Sequence, residues 1–434
     1  MHIVENAVDY AHCKKKGLCF MKRKFDVNKP TLLFVEEYEN TLSRKVESNQ
    51  TINLILLRFK HSMFFSQAHL DATANIPCFV FDKEESVEHM VEKFNRFCAE
   101  NEIAVNYFYN DSEYNQENVQ RFASLLKLPG ALDEYQARCV RDKAVMKDKL
   151  QELGYRTMLY RELSSIEDTL EFAERLGGFP FIVKWRRGLS SKEVYKIENR
   201  KQLEDLRLDY STQRFIAETY CPYLIWCFDS LVQDGKVVGT FLTWLPYTNL
   251  SFAEKKDKFA QITVKECPKD IKFDGGKITQ NLVGELGLKN GYIQIEIFVD
   301  SYGQPTICEF AWRTAGEHML SNQSIAFDVD VCSLLVDIMV GRKIRPIPLK
   351  GQRCVGDMFL PLTDGVVAKI SSYDDLKGLD GVIGGNINYK EGDVIRSKRQ
   401  YTSCAGWVQV TGRTAEEVLS RMLKVYERFE IVIS

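Results

Sequence analysis

Glu296 and Glu309 are the residues in this sequence best placed to do chemistry together, and Arg313 follows four positions after the second. All three fall in GYIQIEIFVDSYGQPTICEFAWRTAG, residues 291–316. Ile293, Ile295, Ile297 and Val299 alternate with Gln294, Glu296 and Phe298, the period of a half-buried strand. Asp300, Ser301, Tyr302 and Gly303 supply turn chemistry, Pro305 closes the turn, and Thr306, Ile307 and Cys308 lead into Glu309. The two acids therefore belong on neighbouring strands. A carboxylate in an apolar sheet is costly unless something positive satisfies it. Mg²⁺ holding nucleotide phosphates suits the pair, because it takes one or two carboxylates and fills its shell with phosphate oxygens. A solvated sheet face would need no such partner, and on this stretch alone the two readings stand level.

Charges of the opposite sign come earlier. In FPFIVKWRRGLSSKEVYKI the strand Phe181–Lys184 ends on a lysine. A loop with Arg186, Arg187, Gly188, Ser190 and Ser191 follows, and Val194–Ile197 returns. A hairpin with such a tip can fold over phosphates, using backbone N–H groups and point charges, although a surface hairpin with incidental charge looks the same. Lys143 sits in the helical pattern DEYQARCVRDKAVMKDKLQELG, between Asp142 and Met146, and signals little by itself. The strand Arg214–Glu218 runs into the break Tyr220-Cys221-Pro222. His318 is the one histidine just past Arg313, and a lone histidine is more often structural.

The elements that must position these groups follow from periodicity. Thr31–Val35, Ile52–Leu57, Cys78–Phe81 and Val105–Tyr109 read as strands. Between and after them lie helices, one over SVEHMVEKFNRFCAE with Val87, Met90, Val91, Phe94, Phe97 and Cys98 on one face, another over 116–127. This alternation predicts a small doubly wound parallel sheet. No GxGxxG follows its first strand, where Glu36-Glu37-Tyr38-Glu39 stands instead, so a dinucleotide site of that kind is not expected. Residues 133–154 are predicted as one long helix, capped by Asp133 and stopped at Gly154. A helix spans 165–177, and Trp226–Val232 and Lys236–Leu245 make a hairpin about Asp234-Gly235. Residues 246–273 read as an irregular, lysine-rich cover. Helices are predicted over 278–287 and 328–340. A shift at Arg345-Pro346-Ile347-Pro348 marks a boundary, beyond which short glycine-rich strands end in a helix capped by Thr414.

Length and composition exclude several classes. At 434 residues, 45% of them hydrophobic, the chain can bury a large core. A net charge of −2 gives no argument for bulk nucleic-acid binding. The basic runs Lys14–Lys16 and Lys22–Lys24 read as solvated surface. No apolar run approaches the roughly 18 residues of a membrane span, and the N-terminus lacks the apolar core of a signal peptide. The 12 cysteines form neither a CxxC pair nor a zinc-spaced cluster, so they are expected as reduced thiols of a cytoplasmic protein.

Taken in order, RDKAVMKDKLQELG, FPFIVKWRRGLSSKEV, FIAETYCP, FDSLVQDGKVVG and the 291–316 stretch resemble the ATP-grasp superfamily from about residue 30 onward. Within it the likeness is to carboxylate–amine ligases of the L-amino-acid ligase (dipeptide synthetase) type. The resemblance implies an α/β and α+β multidomain fold: a doubly wound parallel-sheet domain over 30–132, a nucleotide-covering lid over 133–218, a metal and substrate subdomain over 219–345, and a small α+β domain over 346–434. It implies ATP and one or two Mg²⁺ ions, with Mn²⁺ able to substitute. Lys143 and Lys184 match the phosphate-holding lysines, and residues 185–191, with Arg186, Arg187, Ser190 and Ser191, match the covering loop. Glu218, Thr219 and Cys221 match the adenine-reading hinge, with Asp229 a further recurring acid. Glu296 and Glu309 match the metal ligands. Arg313 and Lys184 match catalytic positions, with His318 as a further candidate. A small-molecule amino-acid or peptide substrate and a homodimer are implied as well.

Three positions depart from the pattern: Ile225 where a glutamate is usual, one glycine and two arginines in the covering loop, and Ala311 where E-x-N-x-R would carry an amide. The resulting expectation is an ATP-dependent ligase forming an amide bond through an acyl phosphate. A ligase acting on a larger peptide or natural-product intermediate, and a non-catalytic nucleotide-binding homologue, are the alternatives.

Overall fold

The computed structural model describes residues 26–434, apart from 27, 38–41, 43–44, 46–50, 61–64, 66, 83, 255–256, 317, 349 and 397–403. The two basic runs before residue 25 lie outside the described residues. The first four strands, β1 (Thr31–Val35), β2 (Asn53–Phe59), β3 (Cys78–Phe81) and β4 (Val105–Asn110), form a parallel sheet in the order β3-β2-β1-β4. Their apolar runs are continuous because both faces are covered, as a parallel sheet requires. Leu33, Ile55 and Phe81 pack with Phe94, Phe97 and Phe122 of the helices Val87–Glu100 and Gln116–Leu125. Leu32, Phe34 and Leu56 pack on the other side with Leu335 and Ile338, from the far end of the chain.

The long helix expected over 133–154 is two helices, Glu134–Cys139 and Lys143–Glu152. Asp142 breaks it. Its backbone is extended and its side chain caps the second helix by accepting from the N–H of Ala144 at 3.1 Å. Four antiparallel strands follow: β5 (Tyr160–Glu162), β6 (Phe181–Trp185), β7 (Val194–Ile197) and β8 (Phe215–Thr219), in the order β5-β8-β6-β7.

The remaining strands build one eight-stranded sheet. It contains β9 (Ile225–Gln233), β10 (Lys236–Trp244), β11 (Ala260–Val264), β12 (Gly291–Val299), β13 (Pro305–Ala311), β14 (Cys354–Leu360), β16 (Val382–Ile387) and β18 (Gly406–Gly412), in the order β13-β12-β9-β10-β11-β14-β18-β16. A separate small sheet holds β15 (Gly365–Ile370), β17 (Val394–Ile395) and β19 (Ile431–Ile433). β11 lies inside the stretch expected to be irregular, which also holds the short helix Asn249–Ala253. Its polar residues misled the sequence reading: Gln261 and Thr263 are buried, the first donating to Asp357 at 2.9 Å and the second hydrogen-bonded to Thr243 at 3.0 Å. β11 pairs with both β10 and β14, so the C-terminal strands extend the central sheet. The helix expected over 328–340 is Val331–Met339, preceded by a second helix, Met319–Phe327; Asp328, at φ 56°, turns the chain between them.

Candidate active site

β12 and β13 meet in antiparallel register, Glu296 opposite Glu309 and Gln294 opposite Ala311. Directly opposed residues share a face of the sheet. Ile293, Ile295 and Ile297 point into the main core. The other face is not open to water, as simple alternation predicted: Tyr292 and Gln294 are buried beneath the helix Met319–Phe327, Tyr292 donating to Gln323 at 3.0 Å. Burial first, and then the neighbouring Glu309 charge, push the Glu296 carboxyl up. Burial would raise Glu309 too, but Lys143 and Lys184 outweigh it and hold that carboxyl well below the usual range.

Lys143 opens the helix that Asp142 caps. Its Nζ lies 3.3 Å from Glu309 Oε2 and donates to the carbonyl of Gly188 at 2.9 Å. Lys184, fourth residue of β6, lies 2.6 Å from Glu218 Oε1. Lys147, four residues after Lys143 on the same helix face, lies 3.0 Å from Glu218 Oε2 and donates to the carbonyl of Cys308 at 3.3 Å. Sequence reasoning passed over Lys147, although the spacing in RDKAVMK was the available signal. Despite the cost of burial, the two lysines keep Glu218 ionised below the ordinary carboxylate range.

The loop over 185–191 is held by ion pairs. Arg186 donates to Asp142 at 2.8 Å and pairs with Glu162. Arg187 donates to Glu117 at 2.7 Å and pairs with Asp142 at 3.0 Å. Ser190 and Ser191 take left-handed backbone, at φ 54° and 51°, and are half-buried. Thr219 donates its N–H to the carbonyl of Leu159 at 2.9 Å, and the half-buried Cys221 thiol is pushed up by burial.

Arg313 is held from three sides. It donates to Glu113 Oε2 at 2.6 Å, to Gln294 Oε1 at 2.7 Å and to the carbonyl of Thr314 at 2.6 Å. Glu113 comes from the loop after β4, and Asp111 of the same loop accepts from the Thr314 N–H at 2.9 Å. Both acids escaped the sequence reading. They sit outside the carboxyl ends of β1 and β4, where the strand order reverses, which is where open α/β sheets place ligands. Glu37, in place of a glycine cradle, ties this loop by accepting from Ser112 at 2.7 Å and Asn115 at 2.7 Å. Glu113, Arg141, Lys143, Gln294, Glu296, Glu309 and Arg313 line one narrow cleft.

Of the expected residues, Lys143, Glu296, Glu309 and Arg313 line that cleft; Lys184, Glu218, Thr219, Cys221 and the loop residues Arg186, Arg187, Ser190 and Ser191 lie off it, as do Asp229 and His318. Asp229, fully buried on β9, accepts from Gln323 at 2.9 Å; burial raises its carboxyl to about 8 against the pull of Arg313. His318 lies over Trp407, ring centroids 3.7 Å apart; burial lowers its pKa while Asp357 pulls it back up. Neither is among the described residues lining the cleft.

Two facing carboxylates repel when both ionise, and a cation, Lys143 Nζ, already stands against one of them. Among the described residues no group of three or more His, Cys, Asp or Glu could hold a metal ion. Glu296 and Glu309 are two opposed carboxylates, a donor set that a hard cation could use only if other oxygens filled the rest of its shell.

Comparison with solved structures settles the architecture. An L-amino acid ligase from Bacillus licheniformis superposes with a TM-score of 0.73, covering 94% of this chain and 100% of its own at 16% identity. This chain has the ATP-grasp fold. A further ATP-grasp neighbour is the biotin carboxylase domain dimer of the Hydrogenobacter thermophilus 2-oxoglutarate carboxylase, in complex with MgADP, ADP and bicarbonate; its TM-score is 0.63 at 15% identity, covering 92% of this chain and 90% of its own. Residues 358–434 match the family model of L-amino acid ligase C-terminal domain 2. An L-arginine-specific L-amino acid ligase of Bacillus subtilis is 22% identical over 268 residues, 59% of this chain. The aligned stretch spans 63% of that relative, less than two thirds of its length. The likeness that the motifs carried is therefore the one these comparisons return. No helix among the described residues is long and apolar enough to cross a membrane, and no disulfide links described cysteines.

Proposed function

We propose that this protein is an ATP-dependent carboxylate–amine ligase that joins an amino acid to a second amino acid or small peptide, releasing ADP and phosphate. The observation that carries the reading is the register of Glu296 against Glu309, with Lys143 on one acid and Arg313 held beside them. The names of the two L-amino acid ligases above support it.

The chemistry asked of these residues is coherent. A carboxylate is a poor electrophile and gains a leaving group when it is converted to an acyl phosphate. Phosphoryl transfer needs positioning and charge neutralisation more than covalent help. Lys143 and Lys184 would hold nucleotide phosphates, with Lys184 leaving part of its present contact to Glu218. Glu296 and Glu309 would hold Mg²⁺, which when bound supplies neutralisation of the transferring phosphoryl group. Arg313, anchored by Glu113, would stabilise the oxyanion as the amine attacks. The loop 185–191, tied down by Arg186 and Arg187, would exclude the water that otherwise hydrolyses the activated acid. Glu218 through Cys221 would line the adenine side. The burial of Asp229 argues for a supporting role behind Arg313, and His318 has no chemical step assigned to it. A homodimer and a cytoplasmic setting complete the proposal.

The test is Mg²⁺-dependent phosphate release across a pairwise panel of amino acids, with mass spectrometry on the products. Release that requires two amino acids, with a product one water lighter than their sum, establishes the reading and names the substrates. Silence across the panel with ATP still bound moves the assignment to a larger acceptor or a non-catalytic homologue.

A further inference from the structure

The cleft contains an oxygen that the motif pattern does not supply. Three strands place their residues in rows across the sheet. One row is Cys227, Glu296 and Glu309; the next is Asp229, Gln294 and Ala311. Gln294 and Ala311 are thus opposed on the same face as the two glutamates, one step along the strands. Ala311 ends at its Cβ and offers no ligand atom. The long side chain that shares its row belongs to Gln294, which is buried and lines the same cleft as Glu296 and Glu309.

The orientation of the Gln294 amide is set by its partners. Its nitrogen end faces the back of the row, where Nε2 lies 3.6 Å from Met319 Sδ. Its oxygen end faces forward, where Oε1 accepts from Arg313 at 2.7 Å. A guanidinium only donates, so the end of the amide that meets Arg313 must be the oxygen and the two ends are not interchangeable. A carbonyl oxygen has two lone pairs, and Arg313 uses one.

We infer that Gln294 is the third protein oxygen of the metal–nucleotide site, supplied from β12 in place of the absent side-chain oxygen at position 311 of β13. This rests on the proposed reading of Glu296 and Glu309 as metal ligands. Hard cations of this kind coordinate amide carbonyl oxygens as well as carboxylates. The small residue at 311 is then a complement of the long one at 294, because the row has room for one amide.

The experiment measures Mn²⁺–ADP affinity of the full chain, by the loss of the free Mn²⁺ electron paramagnetic resonance signal, in wild type, Gln294→Met, Ala311→Asn and the double variant. Methionine keeps the length and removes the oxygen. Gln294→Met is expected to weaken Mn²⁺–ADP binding about tenfold, the lower end of what losing a partner of the ligand shell costs. Adding Ala311→Asn to it is expected to recover most of that loss, since the amide returns to the same row. Equal affinity in wild type and Gln294→Met overturns the inference. So does a loss that Ala311→Asn leaves unrepaired while metal-free ADP binding falls by the same factor, which would make Gln294 a prop for Arg313 alone. Failure of the wild type to bind Mn²⁺–ADP would instead remove the underlying site assignment. Circular dichroism of each variant checks that it folds.

Discussion

Replacing Glu218 by glutamine removes the acid in ion-pair contact with two buried lysines. Lys147 and Lys184 have side chains only 1% and 7% exposed, and they contact the two oxygens of Glu218 at 3.0 and 2.6 Å. A buried pair that loses one partner costs about 3–5 kcal/mol, because a charge stays behind without compensation. Unfolding entropy near 60 °C is about 2.1 cal/mol/K per residue. Over the 434 residues of this chain that amounts to about 0.9 kcal/mol/K. Glu218→Gln should therefore lower the melting temperature by about 3–6 °C in the absence of nucleotide. Charge, not shape, is the stated cause, so adding Lys147→Met should recover part of the loss by removing one stranded cation. Scanning calorimetry of wild type, single and double variants reads both effects. A Glu218→Gln protein melting within about 1 °C of wild type, or a double variant less stable than the single one, refutes the account.

Glu309→Ala should abolish Mg²⁺-dependent phosphate release while the fold survives, and full turnover in that variant would sink the metal assignment. Burial raises the Asp111 carboxyl to about 6, against the backbone N–H and hydroxyl of Thr314. A folded pKa above the unfolded one means a stability contribution present below about pH 4 and lost as pH rises through about 6. Asp111→Asn should therefore gain on wild type in melting temperature between pH 4 and 7, and a constant difference across that range would contradict the assignment. Gly303 sits at φ +76°, and a Cβ there would meet the Asp270 carbonyl oxygen at 1.9 Å. Gly303→Ala should cost on the order of 2–4 kcal/mol, read from the urea midpoint. Thr414→Ala removes the cap of the helix Ala415–Arg428 and should cost about 1 kcal/mol; an unchanged midpoint would show that cap to be redundant.

Local periodicity carried much of the architecture. The apolar runs of the N-terminal strands named a sheet buried on both faces, and the isoleucine alternation at 293–297 placed Glu296 on the face away from the core. Elements failed to read where their polar groups are satisfied by distant partners. β11 looked like a loop because Gln261 and Thr263 are polar, and their partners, Asp357 and Thr243, are 96 and 20 residues away. The helix 133–154 looked continuous because nothing in the sequence announces that Asp142 must turn to meet Arg186 and Arg187.

The sequence by itself determined the groups that could neutralise phosphates and hold a hard cation, because residue type and spacing along one strand or helix turn are local facts. It could place Glu296 and Glu309 on adjacent strands and Lys184 at a strand end. Tertiary structure decided which charges oppose one another. Glu113 reaches Arg313 across 200 residues, Lys147 joins Lys184 at Glu218, and Gln294 stands opposite Ala311. Those pairings depend on strand register and domain docking, which are set by the packing of the whole chain and leave no periodic trace in it.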